Sequence, residues 1–468
     1  MTRFGHILVT LLMLAGAQLW SQVDNTPGQP AATVNNADST SDNDDLRMLT
    51  PPPVSGQAYP VAFTAEERSN YLRGGVTFTS AYSDNTLGPV NGHPVSDVSY
   101  SVGPVLALDT TAPREHLVLT YAPGFTFYQR TSARNEADQN AAIEFEYRVS
   151  PHVTFSVGDG FQKSSNVFNQ PDLTSTGTIS GGAQGANFSV IAPLADRLSN
   201  FGNAGLAYQF SLNGLIGAGG TFSNLHYANP TQVPGLSDAS SQAGLAFYSA
   251  RISKIHYVGV TYEYQRLLSY PTAGQNETQT HAALLFYTVY PTKRLSISLF
   301  GGPQYSDTVE SLPLLSMREW TPAGGASLSW QGRLSSFALS YVHIISGGGG
   351  LMGAVRMDSG NVSLRQRITK SFSGFVAGGY TQNDLLGAPS TTTTASTTTG
   401  GSLTGVANGH SISGTASLEQ DFGQHLTLQL GYTRLRQDYS SVAILASTPN
   451  TNREFVSLSY QFARPLGR

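Results

Sequence analysis

Glu144, Glu146 and Arg148 stand at every second position of the tract 141–149, and between them lie the apolar residues Ile143, Phe145, Tyr147 and Val149. The polar phase of other alternating tracts carries Glu263, Arg365 and Arg367, and Glu419 and Asp421. Charges two residues apart on a strand share one face. Where that face lines a water-filled channel, opposed charges orient and select polar solutes. These eight residues are the candidate lining. Covalent chemistry has less to draw on. The ten histidines are scattered, and no two flank a glutamate as a zinc-binding H-E-x-x-H would require. There is no G-x-S-x-G elbow. The glycine run 347–350 is not followed by the Lys-Ser/Thr of a phosphate loop and reads as a turn. The acidic tract 42–45 lacks the glycine and distant glutamate of a calcium loop. With no cysteine, there is no disulfide framework and no thiolate site. The chain therefore reads as a non-enzyme without cofactor or metal, and a net charge of −4 argues against nucleic acid.

The elements that position these residues are strands. Only 12% of the 468 residues are charged, against about 25% in an ordinary soluble domain. Residues 1–17 read as a signal peptide. Arg3 and His6 precede the apolar core 7–14, and Ala15-Gly16-Ala17 offers a small-x-small cleavage pattern before Gln18. Residues 18–73 are a polar periplasmic tail or linker with an acidic stretch and Pro51-Pro52-Pro53. From 74 to 462 the dominant period is two, as in 258–265, 426–433 and 456–462. Residues 463–468 form a C-terminal extension.

Period two alone fits a soluble sandwich as well as a membrane barrel. Three features favour the barrel. The tracts run to about 9–15 residues, the length of a tilted membrane-crossing strand. Tyr and Phe gather at tract ends, where interfacial girdles belong. The connections alternate, with eight short turns at 109–113, 150–152, 212–214, 253–254, 291–294, 331–333, 369–371 and 422–424. Nine long loops fall at 83–94, 130–139, 163–200, 226–239, 269–277, 307–320, 347–355, 384–409 and 440–452. Eight plus nine connections join eighteen strands. The expected fold is all-β, a transmembrane antiparallel up-and-down barrel of about 18 strands, with short periplasmic turns and long external loops. Sixteen is the alternative count, because the glycine- and serine-rich tracts 76–82 and 214–225 are easily miscounted.

In these features the region 74–462 resembles a Gram-negative outer-membrane β-barrel of the porin type. Its last tract, Val456-Ser457-Leu458-Ser459-Tyr460-Gln461-Phe462, resembles the C-terminal assembly signal of such barrels, although six residues follow Phe462. The tract 147–155 also resembles barrels encoded beside exopolysaccharide export genes. The porin resemblance implies an outer-membrane location and passive diffusion of small polar or saccharide solutes. A polysaccharide export pore, or a closed barrel whose loops bind a partner or surface, remains open. In porins the third external loop folds into the lumen. Here that loop is 163–200, and Asp172 and Asp196 are its candidate constriction residues; an external position for the loop is the alternative. Arg434 and Arg436 lie beyond Tyr432 on the lipid-facing phase. There they would meet lipopolysaccharide phosphate or simply water. Outer-membrane lipid and lipopolysaccharide are the expected partners, and the oligomeric state stays open, a homotrimer included.

Overall fold

A computed structural model describes residues 70–465 except 87–93, 133–134, 165–195, 230–235, 272–273, 312–313, 348–349, 352, 387–408, 424 and 440–449. Among the described residues, nineteen strands form one antiparallel sheet. They are β1 (Tyr71–Ser83), β2 (Asp97–Thr111), β3 (Glu115–Tyr121), β4 (Gly124–Tyr128), β5 (Glu136–Ser150), β6 (Val153–Ser164), β7 (Arg197–Ser211), β8 (Gly214–Tyr227), β9 (Asp238–Ser253) and β10 (His256–Tyr270). They continue with β11 (Asn276–Thr292), β12 (Leu295–Ser311), β13 (Leu314–Gln331), β14 (Ser335–Gly347), β15 (Ala354–Arg367), β16 (Phe372–Leu385), β17 (Gly409–Phe422), β18 (Leu426–Tyr439) and β19 (Asn450–Pro465). Apart from β3 and β4, each strand pairs with its neighbours in sequence, and β1 also pairs with β19.

β3 and β4 both lie between β2 and β5, so they are two halves of one crossing. Ala122 and Pro123 separate them, and proline has no N–H to give a ladder. The wall therefore has eighteen crossings. It closes where β1 pairs with β19, from Tyr71 opposite Pro465 to Ser83 opposite Arg453. Closure pairs the turn half of the wall all the way round, as a lipid environment requires of a sheet that spans it, and outside Gly324 β13 pairs with β12 alone.

Alternation sorts the side chains between two environments. One face exposes Leu106, Leu119, Phe155, Leu206, Leu285, Leu339, Leu430 and Leu458. At its outer rim the rings of Tyr264, His281, Tyr305 and Trp320 stand in a row, tilted to one another, with centroids 5.0 Å apart for Tyr264–His281 and 5.1 Å for Tyr305–Trp320. This is the apolar band and aromatic girdle of a membrane barrel. The other face carries hydroxyl pairs between neighbouring strands. Thr77–Ser459 and Thr79–Ser457 are at 2.7 Å, Thr288–Ser298 at 2.9 Å and Thr278–Thr308 at 3.0 Å. Such cross-strand pairs contribute about 0.2–1 kcal/mol each.

The connections depart from the expected alternation at one place. The expected long loop 307–320 is a hairpin with two residues between β12 and β13. Asp307 and Arg318, whose polarity reads as loop, face each other in register and form a 2.9 Å ion pair. Their charge marks strand that extends past the membrane, not irregular chain.

Leu430 and Gln429 are adjacent on β18 but belong to opposite faces. Leu430→Arg places a guanidinium against lipid and is expected to cost about 2–4 kcal/mol. Gln429→Arg, beside Glu419 in the register, should change stability by less than about 1 kcal/mol. Urea unfolding in lipid vesicles measures both.

Candidate functional site

The inner face places the eight candidate residues in three groups. Glu144, Glu146 and Arg148 share the inner face of β5, with His116 of β3 opposite Glu146. Asp109 of β2 joins this group. It lies 3.1 Å from His116 and 3.5 Å from Arg73 of β1, while Arg148 Nε is 3.9 Å from Glu146. The result is a mixed-sign cluster near the turn end of the barrel. Arg365 and Arg367 of β15 form a second group with Glu419 and Asp421 of β17, and Arg365 reaches Glu419 across β16 at 3.7 Å. Asp421 accepts a 2.8 Å hydrogen bond from Thr427. Glu263 of β10 stands apart from both groups, opposite Leu245 of β9 and Ala282 of β11.

Asp172 lies outside the described residues. Asp196 lies at the base of its loop, 3.8 Å from Lys163 Nζ. Outside the wall, Asn452 bonds Tyr432 (2.6 Å) and Arg434, while Arg436 is exposed.

The sequence did not single out the element that occupies the lumen. β13 pairs with β12 over its whole length but with β14 only from Gly324 opposite His343 down to Gln331 opposite Ser336. Beyond His343, β14 parts from β13 and stays with β15. The outer ends of β14, β15 and β16 thereby turn inward as a tongue. Three contacts fix the direction. The Ile345 N–H, which has lost its β13 partner, donates to Gln304 Oε1 from the inner face of β12 at 3.2 Å. Arg356 stands on the outward phase of β15, yet its Nη2 lies 2.6 Å from Glu319 on the inner phase of β13. Ile345, Ala354 and Leu386, also on outward phases, pack with Leu267 of the inner face of β10. An outer face can meet an inner face only if the tongue lies inside the barrel, doubling the wall.

The tongue's tip reaches β8 and β9. The Ser237 N–H donates to Gly350 O at 2.7 Å. Gly350 has φ +101°, and a Cβ there would fall 2.5 Å from Tyr227 Oη, so backbone geometry and contact both require glycine. Leu351, Val355 and Met357 are fully buried against Leu225, Tyr227, Leu284 and Tyr439. The mouth opposite the short turns is thus narrowed by an apolar cluster drawn from several strands. A sequence signal for this existed. Leu267-Leu268, Ile344-Ile345 and Leu385-Leu386 are apolar on both phases, the pattern of strand buried on both sides.

No family model matches the chain, and no curated protein matches it. Among solved structures, OpdK of Pseudomonas aeruginosa with vanillate is similar at 10% identity over 84% of this chain and 99% of that one, with a TM-score of 0.41. OccAB4 of Acinetobacter baumannii is similar at 11% identity over 85% and 99%, with a TM-score of 0.41. The unliganded ferric citrate transporter FecA is similar at 10% identity with a TM-score of 0.40, covering 81% of this chain, which spans 61% of FecA. Likeness at this level carries no functional argument, and the chain's own geometry must supply one.

Gln304→Leu removes the acceptor that holds the inward turn of β14. Leaving the Ile345 N–H without it should cost about 1–3 kcal/mol locally. Hydrogen exchange at Ile345 is then expected to accelerate about tenfold or more, with Leu339 unchanged.

Proposed function

We propose that this chain is an outer-membrane channel for passive diffusion of small polar solutes in a Gram-negative bacterium, exported through a signal peptide cleaved before Gln18. One observation carries the reading. A closed wall of eighteen crossings is apolar outside and lined inside by hydroxyls and three separate charged groups. Barrels of that size leave an aqueous channel, and fixed lumen charge sorts what passes. Saccharides belong to the class the hydroxyl-rich wall can accept. The tongue favours small solutes over a threaded polymer, since Leu351, Val355 and Met357 fill space at the mouth. This ranks the polysaccharide export reading second. Lipopolysaccharide would contact the outer belt, with Arg434 and Arg436 as phosphate partners.

Single-channel recording of refolded residues 18–468 in a planar bilayer tests the reading. Stable ohmic steps are expected. A folded, inserted barrel without steps would overturn it in favour of a closed barrel that binds through its loops. Replacing 347–353 by Asn-Gly should enlarge the steps, because it removes the tongue's tip. Deleting 173–192 separates the two candidate constrictions: unchanged conductance would leave the tongue as the narrow point and dismiss loop 163–200.

A further inference from the structure

Glu263 stands apart from the other candidate carboxylates of the lining. Glu146 and Arg148, and Arg365 and Glu419, are paired, and Glu144 shares its cluster with His116 and Arg148. Glu263 makes no hydrogen bond or ion pair among the described residues, and it is half-buried. Its inner-face neighbours are Thr261 and Gln265 along β10, Leu245 on β9 and Ala282 on β11. Among the described side chains, the inner faces of β8 to β12 carry only one other charge. That is Arg251 at the turn end, whose guanidinium bonds Asn213 Oδ1 and Leu212 O at 3.0 Å each. The remainder of that wall is apolar, hydroxyl or amide. Phe247 lies one register step below Glu263 opposite Thr261, and Phe286 lies two steps below opposite Gly259.

Its height in the barrel matters as much. Glu263 shares a register row with Ala282 and Gln304, and Gln304 is the residue that seats the tongue. Two strand spacings, about 10 Å, separate Glu263 from that anchor. The carboxylate therefore stands two strands from the tongue's anchor, and the one other described charge on the inner faces of β8 to β12, Arg251, lies at the turn end.

We propose that Glu263 is the selectivity site of the channel, binding an organic cation: an ammonium or guanidinium group on an apolar body. The proposal rests on the channel reading above. A lone carboxylate among Leu245, Ala282 and Thr261 cannot supply the several oxygen ligands a bare divalent ion demands. It can supply one charge-assisted hydrogen bond to an N–H donor. The apolar wall beside it takes the solute's hydrocarbon part, and an uncompensated carboxylate in such surroundings gains most from a bound cation.

Benzylammonium chloride is the probe, and Glu263→Gln and Glu263→Asp are the variants. In a potassium chloride gradient the wild-type reversal potential should show cation preference, and benzylammonium should interrupt the current. Glu263→Gln should lose the preference and bind benzylammonium about tenfold more weakly. Glu263→Asp should retain both properties. An unchanged reversal potential and unchanged block in Glu263→Gln would overturn the proposal while leaving the channel intact. Calorimetric titration of benzylammonium into the folded barrel in micelles decides the binding without conductance. If the wild type gives no steps, the channel reading fails; equal titrations of wild type and Glu263→Gln then overturn the site as well.

Discussion

Pairing of the backbone is the constraint on which the remainder of the structure depends. A sheet in lipid has no water to satisfy an open edge, so β1 must meet β19, and it does so over the full length of β1. Closure then dictates the side chains, because one phase of every strand faces outward and the other inward. The apolar belt and the hydroxyl-lined interior are consequences of a single ring of hydrogen bonds. The same constraint explains the tongue. Where β14 leaves β13, its N–H at Ile345 must find another acceptor, and Gln304 provides one from inside the wall.

The tongue converts a simple cylinder into a barrel with a narrowed mouth. Its outward-phase residues lie against the inner face of the wall, so Arg356 meets Glu319, and Ile345 meets Leu267. Glycine at 350 lets the tip approach Tyr227 at a φ few other residues adopt. Apolar burial at the tip and polar anchoring at its base act together. Leu351, Val355 and Met357 supply the non-directional part, while Gln304 and Glu319 set the position.

Much of this fold was legible in the sequence. Strand alternation and eight short turns gave eighteen crossings, and the periods in 141–149 and 426–433 placed Glu144, Glu146 and Arg148 on one phase and Leu426, Leu428 and Leu430 on the other. One feature misled. Polarity at Asp307 and Arg318 resembled a loop, because charge on strand beyond the membrane looks the same in sequence as charge in irregular chain. The glycine run reads as a turn, and Gly350 lies in one, but nothing local records that the strands beside it fold inward. Three apolar doublets carried that information, but a doublet acquires meaning only once its strand is known to have a second wall behind it. Register also separated Glu263 from its fellow carboxylates. Sequence phase put all eight charged residues on inner faces and could not say which had a countercharge across a neighbouring strand.

The most direct test of this architecture is a cysteine pair at Leu267 and Ile345, introduced into a chain that has no cysteine of its own. Mild oxidation of the membrane-inserted protein should link them as efficiently as a control pair at Thr77 and Ser459 across the closing seam. Efficient linkage at the seam with none between 267 and 345 would contradict the account, since the outer end of β14 would then continue the wall instead of lying inside it.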